Sequence, residues 1–200
     1  MVAAWAAALT PFAARLRFWV VWAAGVEITA TLVNQAGWHT MLLYNLNWPV
    51  EFGLLVAVGA LVAPVRQSWL LALAGLFALV YAGNIVQVDP RRELASASVI
   101  FGALLLAGLY LYLFWQVACT WHGRLRDAPA FWLSLAVLLY YGGCGPLLGS
   151  INYFMRTDMD LASYLHRLTQ VLCVAKFVLM AMACYRLPGN LPSVQHEPGY

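Results

Sequence analysis

The sequence predicts an all-α bundle of transmembrane helices, and three observations lead to that prediction. Of the 200 residues, 64% are hydrophobic and only 10% are charged, whereas about a quarter of the residues in soluble domains are charged. The apolar residues form six runs long enough to cross a bilayer. Nine tryptophans, ten tyrosines and nine phenylalanines suit the aromatic belts at membrane surfaces. We therefore expect one six-span bundle over residues 1–187.

The first three spans are bounded by arginines and a proline. In chain order, the six predicted spans are residues 18–34, 48–65, 69–86, 96–121, 130–155 and 161–185. The first follows Arg15 and Arg17, and the second opens with Pro49 in a favourable first-turn position and closes before Arg66. The third begins after a connection of only a few residues. The segment before Arg15 lacks the basic start of a secretory signal, so we expect it to be retained at the membrane surface.

The last three spans are separated by capping residues. The fourth is an apolar run, and the fifth is entered through Asp127 and Pro129, a cap followed by an early proline. Asp158 or Asp160 caps the sixth. Residues 188–200 contain few apolar residues and several prolines, which predicts a disordered cytoplasmic tail.

Arginines predict the orientation of the bundle. Six spans place both termini on one side, and that side collects Arg15, Arg17, Arg66, Arg124, Arg126 and Arg186. The opposite side mixes Arg91, Arg92 and Arg156 with four acidic residues. Because basic residues in short loops stay in the cytoplasm, both termini are predicted to be cytoplasmic.

Two charged residues lie near mid-membrane in the first and last spans. Lys176 lies ten residues before Arg186, and Glu27 lies ten residues after Arg17, so both are about 15 Å deep at ~1.5 Å per residue. A charge at that depth needs a partner. We expect an ion pair between Glu27 and Lys176, which either serves function or fixes helix register.

Polar residues near the opposite ends of the spans predict a second cluster. By depth they converge on an outward-facing pocket, and the candidate ligand-binding residues are Glu51, His166, Gln170, Asn152 and Asn84. The alternative for each asparagine or glutamine is that it caps a neighbouring backbone. His166, Gln170 and Cys173 precede Lys176 at spacings that place them along one side of the last helix.

The fifth span contains a proline between two glycines. Pro146 predicts a kink, and Gly145 and Gly149 form a GxxxG spacing that permits close helix approach. Tight packing within the bundle is the favoured interpretation. A hinge or a dimer contact is the alternative.

Several kinds of site are not expected. The four cysteines lack the spacing of a zinc site or a disulfide framework, so we expect buried thiols and no metal. One intramembrane histidine does not make a bis-histidine haem site. A lysine in the last span is reminiscent of the retinal proteins, but six spans do not match their seven, so no cofactor is predicted. No hydrolase or phosphate-binding motif occurs.

Several phrases resemble a family of small, uncharacterised multi-pass proteins of Bacteroidota-type bacteria. They are Glu27 in its span, LYNLNWPVEF at 43–52, FWLSLAVLLYYGG at 131–143 and KFVLMAM at 176–182. The resemblance implies a location in the bacterial inner membrane and an association with sensor histidine kinases. It implies no catalytic residue.

Together these features favour a membrane sensor over an enzyme. A small or lipidic ligand would bind in the outward-facing pocket, and a helix shift would reach a cytoplasmic signalling partner. The alternatives are an ion- or proton-coupled transporter or channel using Glu27, Lys176 and His166, and a lipid-modifying enzyme using His166 and Glu51 as acid and base. Membrane lipids and a second copy of the chain are the other candidate partners. Nucleic acid is not expected, because the net charge is only +3 and no basic cluster occurs.

Overall fold

A computed structural model shows a bundle of six α-helices. It describes residues 2–62, 65–90, 93–121 and 123–187, with side chains from residue 11 onward except that of Asn152. The helices are α1 (Val2–Gln35), α2 (Met41–Gly59), α3 (Gln67–Gln87), α4 (Ser96–Thr120), α5 (Pro129–Thr157) and α6 (Met159–Tyr185), with a 3₁₀ turn at Leu125–Asp127. All six are long and apolar enough to cross a membrane. The predicted fold class is confirmed, and the chain is a multi-pass membrane protein. The predicted tail at 188–200 lies outside the described residues.

Helix α1 begins at Val2, sixteen residues before its predicted start, and helix α2 also departs from its predicted span. Helix α2 begins at Met41 rather than at residue 48, so Pro49 lies inside the helix instead of in its first turn. A proline cannot donate to the carbonyl four residues earlier. That carbonyl, on Asn45, accepts a hydrogen bond from the Tyr81 hydroxyl at 2.9 Å instead. A side chain from α3 therefore satisfies the backbone group that Pro49 leaves free.

The start of α2 is held by a buried asparagine. The Asn45 amide nitrogen donates to the carbonyls of Pro90 and Glu93, at 3.0 and 2.9 Å, and its oxygen accepts from the Ala95 amide at 2.9 Å. All three contacts are with the connection between α3 and α4. This asparagine lets the helix continue seven residues beyond the predicted boundary, and it carries Glu51 to the middle of α2.

The core lies between α4 and its neighbours. Helix α5 packs extensively against both α4 and α6. A Cβ on Gly145 would lie 2.7 Å from the Ala103 Cβ, and one on Gly149 would collide with Ile100. The two glycines therefore allow α5 to approach α4 closely, which confirms the predicted tight packing within the bundle. A hinge at Pro146 stays a prediction.

Helix α3 lies at the periphery. Phe77 is its one buried residue among those described, and its ring stacks on Phe52 with a centroid distance of 3.9 Å. The remaining surface of α3 is largely apolar and exposed, as expected of a helix in contact with lipid.

The alternating helix directions give the bundle two faces. The arginine-rich face holds Arg15, Arg17, Arg66, Arg124, Arg126 and Arg186. The described residues of the opposite face, called the acidic face below, include Asp89, Glu93, Asp158 and Asp160 together with Arg156 and Arg167. Among the described residues, an ion pair links distant segments on each face: Arg186 with Asp127 at 2.8 Å on the first, and Arg156 with Glu93 on the second.

Candidate functional site

Lys176 is buried near the middle of α6 and pairs with Glu51 of α2. The ammonium nitrogen lies 3.3 Å from Glu51 Oε1, and the two residues are 2% and 8% exposed. The predicted pairing of Lys176 with Glu27 is therefore wrong. The predicted span of residues 48–65 placed Glu51 near one end of its helix, but α2 runs from Met41 to Gly59 and carries Glu51 to mid-helix.

Aromatic rings enclose the rest of the lysine ammonium. It lies 3.9 Å from the centroid of Tyr140, 5.2 Å from Phe177 and 5.7 Å from Trp19. A cation over the face of an aromatic ring is stabilised by the ring quadrupole, most strongly where water is excluded. The ion pair and the rings together replace the hydration that Lys176 would have in water.

The second oxygen of Glu51 continues the network to α1. Oε2 accepts a hydrogen bond from the Asn47 amide at 3.3 Å, and the Asn47 oxygen accepts one from the Trp22 indole at 2.8 Å. The Tyr141 hydroxyl faces the same carboxylate but forms no hydrogen bond of normal geometry with any described residue. One side of the Glu51 carboxylate therefore accepts a hydrogen bond from Asn47, and another side faces the Tyr141 hydroxyl, which has no hydrogen-bond partner among the described residues.

Glu27 has a different environment. Its Oε2 accepts from the Tyr44 hydroxyl at 3.3 Å, and the Cys173 thiol approaches Oε1 at 3.9 Å. Within the described part of the chain, no basic side chain forms an ion pair with Glu27. The residue is half-buried in a helix that crosses the membrane.

Both carboxylates line one cavity of about 160 Å³ between α1, α2, α4, α5 and α6. Its polar and thiol side chains are Glu27, Thr40, Tyr44, Asn47, Glu51, Tyr140, Tyr141, Cys144, His166, Thr169, Gln170 and Cys173. Its apolar part includes Trp48, Ala103, Leu148 and Ile151. The cavity extends from the ion pair toward the acidic face, where α2 and α6 begin and α5 ends.

The polar side of α6 contributes to the cavity, with His166 and Gln170 placed there as predicted and Cys173 beside them. His166 and Gln170 are exposed, and His166 Nε2 lies 3.4 Å from the Gln170 amide nitrogen. No hydrogen bond joins His166 to Glu51 among the described side chains, so the acid and base of the enzyme alternative are not in contact.

Asn84, another candidate ligand residue, does not line the cavity. The Asn84 oxygen accepts a hydrogen bond from the Ser98 amide at 3.0 Å, so Asn84 binds the first turn of α4. For Asn84, the alternative that it caps a neighbouring backbone is therefore correct, and the prediction that it lines the ligand pocket is wrong. The side chain of Asn152 lies outside the described residues.

Several cavity residues escaped the sequence interpretation. Tyr44 and Trp48 precede Glu51 by seven and three residues, which is helical spacing, but the predicted span began only at residue 48. Thr169 follows His166 by three residues and lies on the same side of α6. Once α2 is known to begin at Met41, helical periodicity places Tyr44 and Trp48 on the same side of the helix as Glu51.

No group of three or more histidine, cysteine or acidic side chains close enough to hold a metal ion occurs in the described part of the chain. The cavity therefore offers carboxylates, hydroxyls and aromatic rings as its recognition groups.

No family model, curated protein or solved structure matches the chain.

Proposed function

We propose that the protein is a membrane sensor that binds a small or lipidic ligand in the cavity and relays a helix shift to a cytoplasmic signalling partner. The observation that carries the proposal is the cavity itself, in which Glu51, His166 and Gln170 come together beside a buried ion pair. Ligand sites are typically concave and mostly apolar, with a few polar groups that fix orientation. This cavity has that composition.

Helix α6 supports the relay. His166 and Gln170 line the cavity near its beginning, Lys176 pairs with α2 at its middle, and Arg186 at its end pairs with Asp127. A ligand that displaces the first half of α6 therefore acts on a rigid element whose other end contacts the 3₁₀ turn at the arginine-rich face. Small helix shifts of this kind are a common form of signal transmission.

The distribution of arginines supports the orientation in the proposal. With the arginine-rich face in the cytoplasm, the cavity extends toward the outside and the Arg186–Asp127 pair faces the cytoplasm. We propose the inner membrane of a bacterium as the location.

Native mass spectrometry of protein gently extracted from its own membrane tests ligand binding. We expect a retained small molecule on the wild-type protein and its loss from Thr169→Phe, because Thr169 is buried and lines the cavity. Val171→Phe is the matched control, since Val171 on the same helix is 65% exposed. A bare wild-type protein, or equal retention by both variants, would contradict binding in the cavity.

Hydrogen exchange tests the relay separately. We expect occupancy of the cavity to change amide exchange in residues 123–128 at the arginine-rich face, and Thr169→Phe to abolish that change. The same experiment on Val171→Phe should reproduce the wild-type response. If amide exchange in residues 123–128 did not change on ligand binding, the protein would bind a ligand without relaying a signal to that face.

Proton-coupled transport is the second candidate, and one observation favours it. Glu27 and Glu51 line the same intramembrane cavity, and intramembrane carboxylates of this kind often exchange protons or ions. Purified protein in liposomes would then carry a flux driven by a pH gradient, and Glu27→Gln would abolish it. A sensor shows no such flux.

A further inference from the structure

The cavity has more acidic than basic side chains around it. Two carboxylates line it, and the ammonium of Lys176 lies beside Glu51. The titratable groups near Glu27 are Tyr44 from α2, Tyr140 from α5 and Cys173 from α6, and His166 lines the same cavity. None of them is a permanent cation, and His166 is hydrogen-bonded to Gln170. The cavity thus has one carboxylate more than its described cations neutralise.

An unneutralised carboxylate inside a membrane protein is costly. Glu27 has two hydrogen-bond donors, at 3.3 Å from a hydroxyl and 3.9 Å from a thiol, and both are neutral and long. Intramembrane charges are normally paired or exposed to a water-filled cavity. A cationic ligand in the cavity would supply the missing partner.

The walls of the cavity suit an organic cation. The side chains of Tyr44, Trp48, Tyr140 and Tyr141 all line it, and aromatic faces bind ammonium groups through their quadrupoles. Lys176 already uses one of these rings, with its nitrogen 3.9 Å from the Tyr140 centroid. The described part of the chain shows no cluster that would hold a bare metal ion instead.

A separate observation points to a ligand. The Tyr141 side chain is 2% exposed and lines the cavity, and its hydroxyl faces the Glu51 carboxylate without a hydrogen bond of normal geometry to it or to any other described residue. Buried hydroxyls are normally hydrogen-bonded. The polar part of a bound molecule, or water that accompanies it, would satisfy this group.

The volume limits the size of the ligand. The cavity measures about 160 Å³, close to the ~150 Å³ engineered cavity that binds benzene. One aromatic or branched aliphatic group with a short amine therefore fits, whereas a whole phospholipid does not.

We propose that the ligand is a small organic amine in its ammonium form, with its nitrogen against Glu27 and its body between the aromatic side chains. This inference rests on the proposed function, because it names the chemical class of the molecule that the sensor detects.

Calorimetric titration of the purified full chain in nanodiscs tests the ligand class, with benzylammonium and benzyl alcohol as probes. The two are nearly the same size and differ in charge. We expect benzylammonium to bind at least tenfold more tightly than the alcohol. Glu27→Gln should remove that preference and Glu27→Asp should keep it. Asp160→Asn, an exposed acidic residue in the first turn of α6, should change nothing.

The outcomes separate this proposal from the proposed function. Equal binding of both probes, or a preference for the amine that Glu27→Gln leaves intact, would overturn the cation and leave the cavity as a binding site. Failure of both probes to bind, while native mass spectrometry still finds a retained molecule that Thr169→Phe removes, would also overturn the cation alone. Failure of both experiments would overturn the sensor as well. The unfolding curve of Glu27→Gln shows whether that variant folds. If it does not fold, the test rests on the binding of benzylammonium and benzyl alcohol to Glu27→Asp.

Discussion

The ammonium of Lys176 on α6 lies 3.3 Å from the carboxylate of Glu51 on α2, and 125 residues of chain separate the two. Both side chains are nearly inaccessible to solvent, at 3% and 10% exposed. A buried ion pair adds little stability compared with a well-packed apolar pair, but removing one member leaves the other uncompensated. The pair therefore determines how α2 and α6 sit against each other.

Lys176→Met should destabilise the protein strongly. It leaves Glu51 buried without its cation, which costs about 3–5 kcal/mol. Adding Glu51→Gln should recover much of that loss, whereas adding Glu27→Gln should not. Equilibrium unfolding in mixed micelles measures each variant. Arg156→Met is the control, because its pair with Glu93 is 69% exposed on the arginine side and should contribute only about 0–1 kcal/mol. Rescue by Glu27→Gln instead would contradict the Lys176–Glu51 pair.

Asn45→Ala should loosen the acidic face. The variant leaves the carbonyls of Pro90 and Glu93 and the amide of Ala95 without their partner. Unsatisfied buried groups cost about 1–3 kcal/mol, so we expect a loss in that range in the unfolding free energy. Asn34→Ala at an exposed position is the control and should stay within about 0.5 kcal/mol of wild type. Equal effects of the two variants would show that Asn45 does not hold this connection.

Tyr81→Phe should weaken the bundle only while Pro49 is present. The hydroxyl occupies the Asn45 carbonyl that the proline cannot reach, and its loss should cost about 1 kcal/mol. In a Pro49→Ala background the helix supplies its own amide to that carbonyl, so the effect of Tyr81→Phe should shrink. A double-mutant cycle on unfolding free energies measures this coupling. Tyr112→Phe, at an exposed tyrosine, is the control. A coupling energy of zero would mean that the two residues act independently.

Gly145→Ala and Gly142→Ala should have opposite signs. A Cβ at Gly145 would meet the Ala103 Cβ at 2.7 Å, and neither atom can rotate away, so overpacking of about 1–3 kcal/mol is expected. A Cβ at Gly142 meets nothing within 4 Å and should stabilise the helix by up to about 1 kcal/mol. Thermal unfolding in detergent compares the two. If both variants were stabilised, α4 and α5 would be farther apart than the structure shows.

The fold could be predicted from the sequence because a bilayer requires each spanning helix to be a long apolar run, and such runs are visible in the sequence. The last three helices begin within two residues of their predicted starts. The beginning of α2 could not be predicted, because it depends on contacts of Asn45 with residues 36 and 50 positions away. The Tyr81 hydroxyl donates to the Asn45 carbonyl, and the Ala95 amide donates to the Asn45 side-chain oxygen. Local patterns carry no information about such contacts, and Pro49 alone suggested a helix start.

The error in α2 propagated to the site. At its depth in the membrane Lys176 needs a charged partner, and it has one. The depths of Lys176 and Glu27, counted from the nearest arginines, match and suggested Glu27. Because α2 lies six or seven residues earlier in the chain than its predicted span, Glu51 is at that depth instead. The polar side of α6 needed no such count. Its residues follow helical spacing within one segment, so His166, Gln170 and Cys173 were found together.

The separation of Lys176 and Glu51 along the chain also has a consequence for how the protein is made. Synthesis proceeds at about 5–20 residues per second, so the ribosome needs roughly 6–25 s to produce the 125 residues between them. During that interval Glu51 is already in the translocon or the bilayer without its cation. The contact between α2 and α6 can therefore form only after α6 has been synthesised, which makes it one of the last contacts of the bundle to form.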